Sequence, residues 1–105
     1  MKTLPATFEG IAIEADGTQF AFRVSVGPLY QQGGEPDTWR CPASVEPWHP
    51  QPRHVAGGDA FQALCLASRL ALDLLRQFIE GGGRLTYDGA NDVPLDAYIP
   101  AVPRA

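Results

Sequence analysis

The stretch "TFEGIAIEADGTQFAFRVSV", residues 7–26, decides the fold. Two runs rich in β-branched and aromatic residues flank Asp16-Gly17, a dipeptide that favours the left-handed backbone of tight hairpin turns. A two-residue turn centred there pairs Ile13 with Phe20, Ile11 with Phe22 and Glu9 with Val24. That register predicts one apolar face of Ile11, Ile13, Phe20, Phe22, Val24 and Val26. Gly10, Ala12, Glu14, Gln19, Ala21, Arg23 and Ser25 fall on the other. An antiparallel hairpin with one face for a core and one for water is the expected seed of the fold.

Outward from the hairpin, residues 27–37 read as a loop from their Gly, Pro and Gln content. "TWRCPASVEPW" alternates Trp39, Cys41, Ala43 and Val45 against Arg40, Ser44 and Glu46, which predicts a third strand. Pro42 has no N–H to give a ladder, so the expectation is an edge strand, or one whose pairing breaks there. Residues 47–58, "PWHPQPRHVAGG", carry three prolines and read as a second loop. "DAFQALCLASRLALDLLRQFIE", residues 59–80, predicts a helix with Asp59 as N-cap and Gln62 completing a capping-box-like pair. Gly81 is the expected left-handed residue past its end. Gln62, Arg69, Asp73, Arg76, Gln77 and Glu80 form a polar stripe that leaves an apolar arc of about 220°, against a usual 100°. The arc predicts that the helix is covered on more than one side.

"RLTY", residues 84–87, predicts a short fourth strand before an Asp88-Gly89 turn. The proline-rich tail is expected to be extended, running over a sheet edge through Leu95, Tyr98 and Ile99. The resulting expectation is a single α+β domain over residues 1–105: an antiparallel sheet of about four strands, β-β-β-α-β, with one long helix packed on one face. At 105 residues, with 45% apolar and 19% charged residues, the chain has material for one core.

The net charge of −4 argues against a nucleic-acid surface, which needs clustered Lys and Arg. Residues 1–58 and 59–105 each hold four basic and six acidic groups, so the average hides no basic half. "MKTLPATFEG" lacks the apolar run of a signal peptide, and the chain has no apolar stretch of about 18 residues. The expectation is a cytoplasmic protein with no membrane segment, its Cys41 and Cys65 reduced. One lysine against seven arginines, with abundant alanine, points to a GC-rich bacterial origin.

Residues 37–54, "DTWRCPASVEPWHPQPRH", concentrate the chemistry-bearing types. Zinc takes Cys and His from close pairs, and the four residues between His49 and His54 fit H-x3–5-H. Cys41 and Cys65, 24 positions apart, have no paired neighbour, so the spacing favours buried thiols and loop histidines over a metal, and no cofactor is expected. Cys41 as a nucleophile with His49 or His54 needs a base or helix N-terminus to lower its pKa, and no cysteine-hydrolase signature surrounds it. An anion could meet the helix N-terminus beside Arg53 and His54, but Asp59 as cap competes for the same N–H groups. "DGANDVPLD" offers Asp88, Asn91, Asp92 and Asp96 but does not match a calcium loop, and turn chemistry accounts for it. No serine lies in G-x-S-x-G and no acid–base carboxylate pair is identifiable.

What remains is a surface for a protein partner. Rigid aromatics anchor interfaces, which nominates Tyr30, Trp39, Trp48, His49, Arg53, His54 and Leu66. The competing reading folds the two loops back so that their aromatics complete the core. The expected function is a non-enzymatic protein-binding module of the immunity or antitoxin kind. The alternatives are a small-molecule or enzymatic pocket around Trp39, Cys41, Trp48, His49 and His54, and a homodimer through the apolar helix.

W-x-C-P at 39–42, G-x-D-x-x-Q-A-L-x-L-A at 57–67 and the helix end GGG-x-L at 81–85 resemble a family of small bacterial proteins without assigned activity. The likeness covers roughly residues 20–87. It implies a stand-alone bacterial cytosolic domain, and the motifs fall on a strand, a helix cap, a helix core and a C-cap.

Overall fold

A computed structural model describes residues 4–31 and 38–98. The elements run β1 (Ala6–Ile13), β2 (Gln19–Val26), β3 (Tyr30–Gln31), β4 (Trp39–Glu46), β5 (His49–Gly57), α1 (Ala60–Glu80), β6 (Arg84–Thr86) and a 3-10 turn, Leu95–Ala97. The architecture is α+β, with an antiparallel sheet and one long helix. The sheet has six strands rather than about four, because segments read as loops pair as β3 and β5.

The hairpin forms with a register one residue away from the expected one. Ile13 pairs with Gln19, Ala12 with Phe20, Gly10 with Phe22 and Phe8 with Val24. Glu14 donates its N–H to Thr18 O and Gly17 donates to Glu14 O, so Ala15, Asp16 and Gly17 form a three-residue loop, with Gly17 at φ +93. This is the turn that ends in a left-handed glycine bulge, and one extra loop residue rotates one strand's whole side-chain set to the other face. Ala12, fully buried, therefore joins Phe22, Val24 and Val26 in the core, while Ile11 and Ile13 lie half-buried on the far face. Gly10 is required at its position, since a Cβ there would run into Thr86 O and the Phe22 ring.

Cys41, Ala43 and Val45 are buried, and Trp39 packs against the same core, as the alternation predicts. Pro42 nevertheless sits in an interior strand: β4 pairs β5 on one side and β2 and β3 on the other. The β2–β3 line is interrupted between Val26, opposite Ala43, and Tyr30, opposite Arg40. Pro42 falls opposite that gap, where no acceptor awaits an N–H, and its carbonyl accepts from Gly27 N–H at 2.8 Å. The same bond aims the backbone of Pro42 away from β5. Backbone groups alternate sides along a strand, so those of His54, its partner in register, point to the free edge of the sheet. Pro50 and Pro52 fall in the irregular stretch between Arg53, opposite Ala43, and His49, opposite Val45, where the ladder to β4 is interrupted and a proline removes no ladder bond.

The helix begins as predicted. Asp59 Oδ1 accepts Gln62 N–H at 2.7 Å, and the Gln62 amide oxygen reaches back to Gly58 N–H at 2.6 Å. At the other end the left-handed residue is Gly82 (φ +102), one later than expected, and Gly81 stays at φ −79. Gly82 N–H donates to Ile79 O and Gly83 N–H to Phe78 O, the paired bonds of a Schellman cap. The buried stripe is Ala63, Ala67, Ala71 and Leu75. Three alanines let the helix approach the sheet closely, and Leu75 is its one fully buried bulky residue, with Leu72, Leu74 and Phe78 packed beside it. Contrary to the wide-arc expectation, the described residues cover the helix on one side. Phe61 is 75% exposed, Leu66 46% and Leu64 36%, because the sheet offers a single face and the loops build its edge instead of a second layer.

The segment after β6 turns back rather than running extended. Val93 and Leu95 are buried, Val93 N–H donates to Leu85 O, and Tyr98 packs its ring 5.4 Å from Phe8. Ile99 lies outside the described residues. No described helix is long and apolar enough to cross a membrane.

Candidate functional site

The structure distributes the residues nominated from sequence over both faces of the sheet. Strand alternation in β5 is the cause. His54 points to the outer face, away from the helix, where its Nδ1 lies 2.8 Å from the Tyr30 hydroxyl. Arg40, across from Tyr30 in register, extends to the His54 carbonyl at 3.5 Å. His49 and Arg53 point to the helix side, where with Gln51 they face Leu70, Ala71 and Leu74 of α1. Leu66 stands exposed on that flank of the helix, one turn before Leu70.

Trp48 completes the core, which is the competing reading of the aromatic loops. It sits in the β4–β5 turn, with its ring 4.8 Å from Phe78, 5.4 Å from Phe20 and 6.3 Å from Phe22. Trp39 is half-buried against the same core. Neither tryptophan is free to act as an exposed anchor.

The thiols separate as well. Cys41 is fully buried on the helix side of β4, and burial pushes its pKa up, away from thiolate chemistry. Cys65 is exposed on the outward face of α1, not buried, because it lies two positions from Ala63 and Ala67 and so points opposite the alanine stripe. Among the described residues no three His, Cys, Asp or Glu side chains converge on a metal-sized point. The Asp88 carboxylate is committed to its own turn. It accepts the N–H groups of Ala90 and Asn91 and the Asn91 amide, and those bonds lower its pKa.

A second concavity, larger than the β5 crevice, lies on the opposite flank of the helix, and residues outside the sequence nominations build it. α1 sits over β4 and β5, leaving the helix-side face of β1 to the C-terminal segment. Between them runs a groove of roughly 250 Å³, walled by Phe8, Val24 and Val26 on the sheet, Leu64 and Leu72 on the helix, and Tyr98. Thr7, Ser68 and Tyr98 are its hydroxyl-bearing residues. Phe61, three residues before Leu64 and hence on the same helical flank, extends this apolar ribbon into solvent. Leu4, two residues before the groove residue Ala6, is 76% exposed. At one end the Tyr98 and Tyr87 hydroxyls are 3.0 Å apart, and that bond raises the Tyr98 pKa. The over-wide apolar arc was the sequence signal for this groove. It showed that α1 had a face to spare, though not which strand would wall it.

No family model, curated protein or solved structure matches the chain. The likeness carried by W-x-C-P and the helix motif therefore rests on those residues alone.

Proposed function

We propose that the protein is a non-enzymatic binding module of the immunity or antitoxin kind. Its working surface is the groove between α1 and β1, and its partner is a basic protein segment bearing large apolar side chains. The observation that carries this reading is a concavity lined almost wholly by apolar groups, with Leu64 and Tyr98 exposed on its walls and Phe61 exposed one helical turn from Leu64. A small chain gains nothing in stability from solvated side chains of this size, and contiguous exposed apolar surface marks interaction sites. The basic character of the partner follows from charge complementarity with a chain that carries −4 overall.

The test places a photo-crosslinking residue at Ser68 in the native host, with Gln77 on the outward helix face as control. One basic protein is expected to crosslink at Ser68 and not at Gln77. Its affinity for the purified chain should fall tenfold or more in Leu64→Asp. A partner that binds equally well to Leu64→Asp and Ser68→Arg would remove the groove from the function. A monomer–dimer equilibrium abolished by Ser68→Arg would replace the foreign partner with a second copy of the chain.

A further inference from the structure

We propose that the crevice between β5 and α1 binds a small aliphatic carboxylate, with Arg53 as the group that receives its charge. His49, Gln51 and Arg53 project to the same side of the edge strand, towards Leu70 and Leu74, and together enclose roughly 120 Å³. The space suits a ligand of a few non-hydrogen atoms and no ring system. Its chemistry is split across its width, with N–H donors from the strand and aliphatic walls from the helix. A guanidinium offers two parallel N–H groups to a carboxylate, and the Gln51 amide and the His49 ring add a donor each. The alkyl portion then lies against Leu70 and Leu74.

The charge pattern makes Arg53 distinctive. Arg23 pairs with Glu9, Arg69 with Asp73, Arg76 with Asp96 and Arg84 with Asp92. Arg53 pairs with no carboxylate among the described residues, and no Asp or Glu lines its crevice. On an acidic chain whose other surface arginines are mostly neutralised, a guanidinium facing an apolar wall without a counter-ion is a vacant half of an ion pair. This site is independent of the α1–β1 groove, since α1 itself separates the two.

The experiment is a titration of the labelled protein with butyrate, followed by backbone amide shifts. Saturable shifts confined to β5 and to the helix around residues 70–74 are expected, with a dissociation constant in the millimolar range. Arg53→Gln should weaken binding at least fivefold. His54→Gln, on the opposite face of the same strand, should leave it unchanged, and butyramide, which lacks the charge, should not bind. Both substituted side chains are exposed, so the dispersion of each spectrum verifies that the fold is intact. Linear shifts that do not saturate, equal binding by Arg53→Gln, or inorganic phosphate binding more tightly than butyrate would each overturn the assignment.

Discussion

Thr86 is the only fully buried polar residue among those described, and its replacement by valine tests whether one hydroxyl closes the sheet. The Thr86 hydroxyl donates to Ile11 O at 2.8 Å and accepts Gly89 N–H at 2.8 Å, tying β6 both to β1 and to the Asp88-Gly89 turn. Valine has nearly the same shape and makes neither bond. Two hydrogen bonds at about 1 kcal/mol each, plus the cost of leaving a carbonyl and an N–H short of partners, amount to roughly 2–4 kcal/mol. The added methyl group returns up to about 0.8 kcal/mol of that. A net loss of about 2 kcal/mol results. With an unfolding entropy of roughly 2.1 cal/mol/K per residue, this lowers Tm by about 9 °C for a chain of 105 residues. Thr86→Ser keeps both bonds, removes one methyl and costs about 1 kcal/mol. Thermal unfolding followed by tryptophan fluorescence gives the first number, and hydrogen exchange at Gly89 gives the second. That amide should stay protected in the serine variant and exchange at least tenfold faster in the valine variant. A valine variant within about 0.5 kcal/mol of the parent, with Gly89 still protected, would refute the reasoning.

The helix end separates two adjacent glycines. Gly82→Ala, at φ +102, should cost about 1–2 kcal/mol in urea unfolding, whereas Gly81→Ala, at φ −79 with ordinary contacts, should stay within about 0.5 kcal/mol. A thiol reagent should modify one cysteine rapidly in the native protein; Cys65→Ser should abolish that phase and leave Cys41 reacting only on unfolding. Asp88 titrates below its ordinary value of 3.8, so the order it gives the turn is present above the usual carboxylate range and disappears as pH falls through the lowered value. Amide shifts of Ala90 and Asn91 should report a midpoint under 3.8, and a midpoint at or above it would count against the hydrogen bonds drawn here.

What could be read in the sequence was governed by how local each determinant is. The capped helix and the alternation from Trp39 to Val45 depend on near neighbours, and both formed as the spacing dictates. The hairpin register was not legible, because "EADGT" accommodates a two- or a three-residue turn. Residues on both faces of β1 are apolar, so its pattern did not break the tie. The deciding facts are remote: Gly10 and Ala12 are the small residues that fit beneath Phe22 and beside Leu85, which arrives more than seventy positions later. β5 was hidden because its prolines oppose strand formation locally and are tolerated only where no neighbour follows. For the same reason the nominated residues could not be assigned to faces. His49, Arg53 and His54 form one cluster in a loop but divide between two sides of a strand.

Pro50 and Pro52 on the free edge of β5 bear on how the protein behaves when crowded. An open antiparallel edge is a template on which another chain can extend the sheet, and repeated extension leads to fibrils. Here two prolines lie within a bulged stretch, so the first half of that edge is irregular and short of N–H donors for an incoming strand. At the opposite margin β6 is three residues long, and Arg84 on it is held by Asp92. Extension is therefore disfavoured along β5 and β6, and the edge that the described residues leave open to an added strand is that of β1 from Ala6 to Gly10, which β6 does not cover.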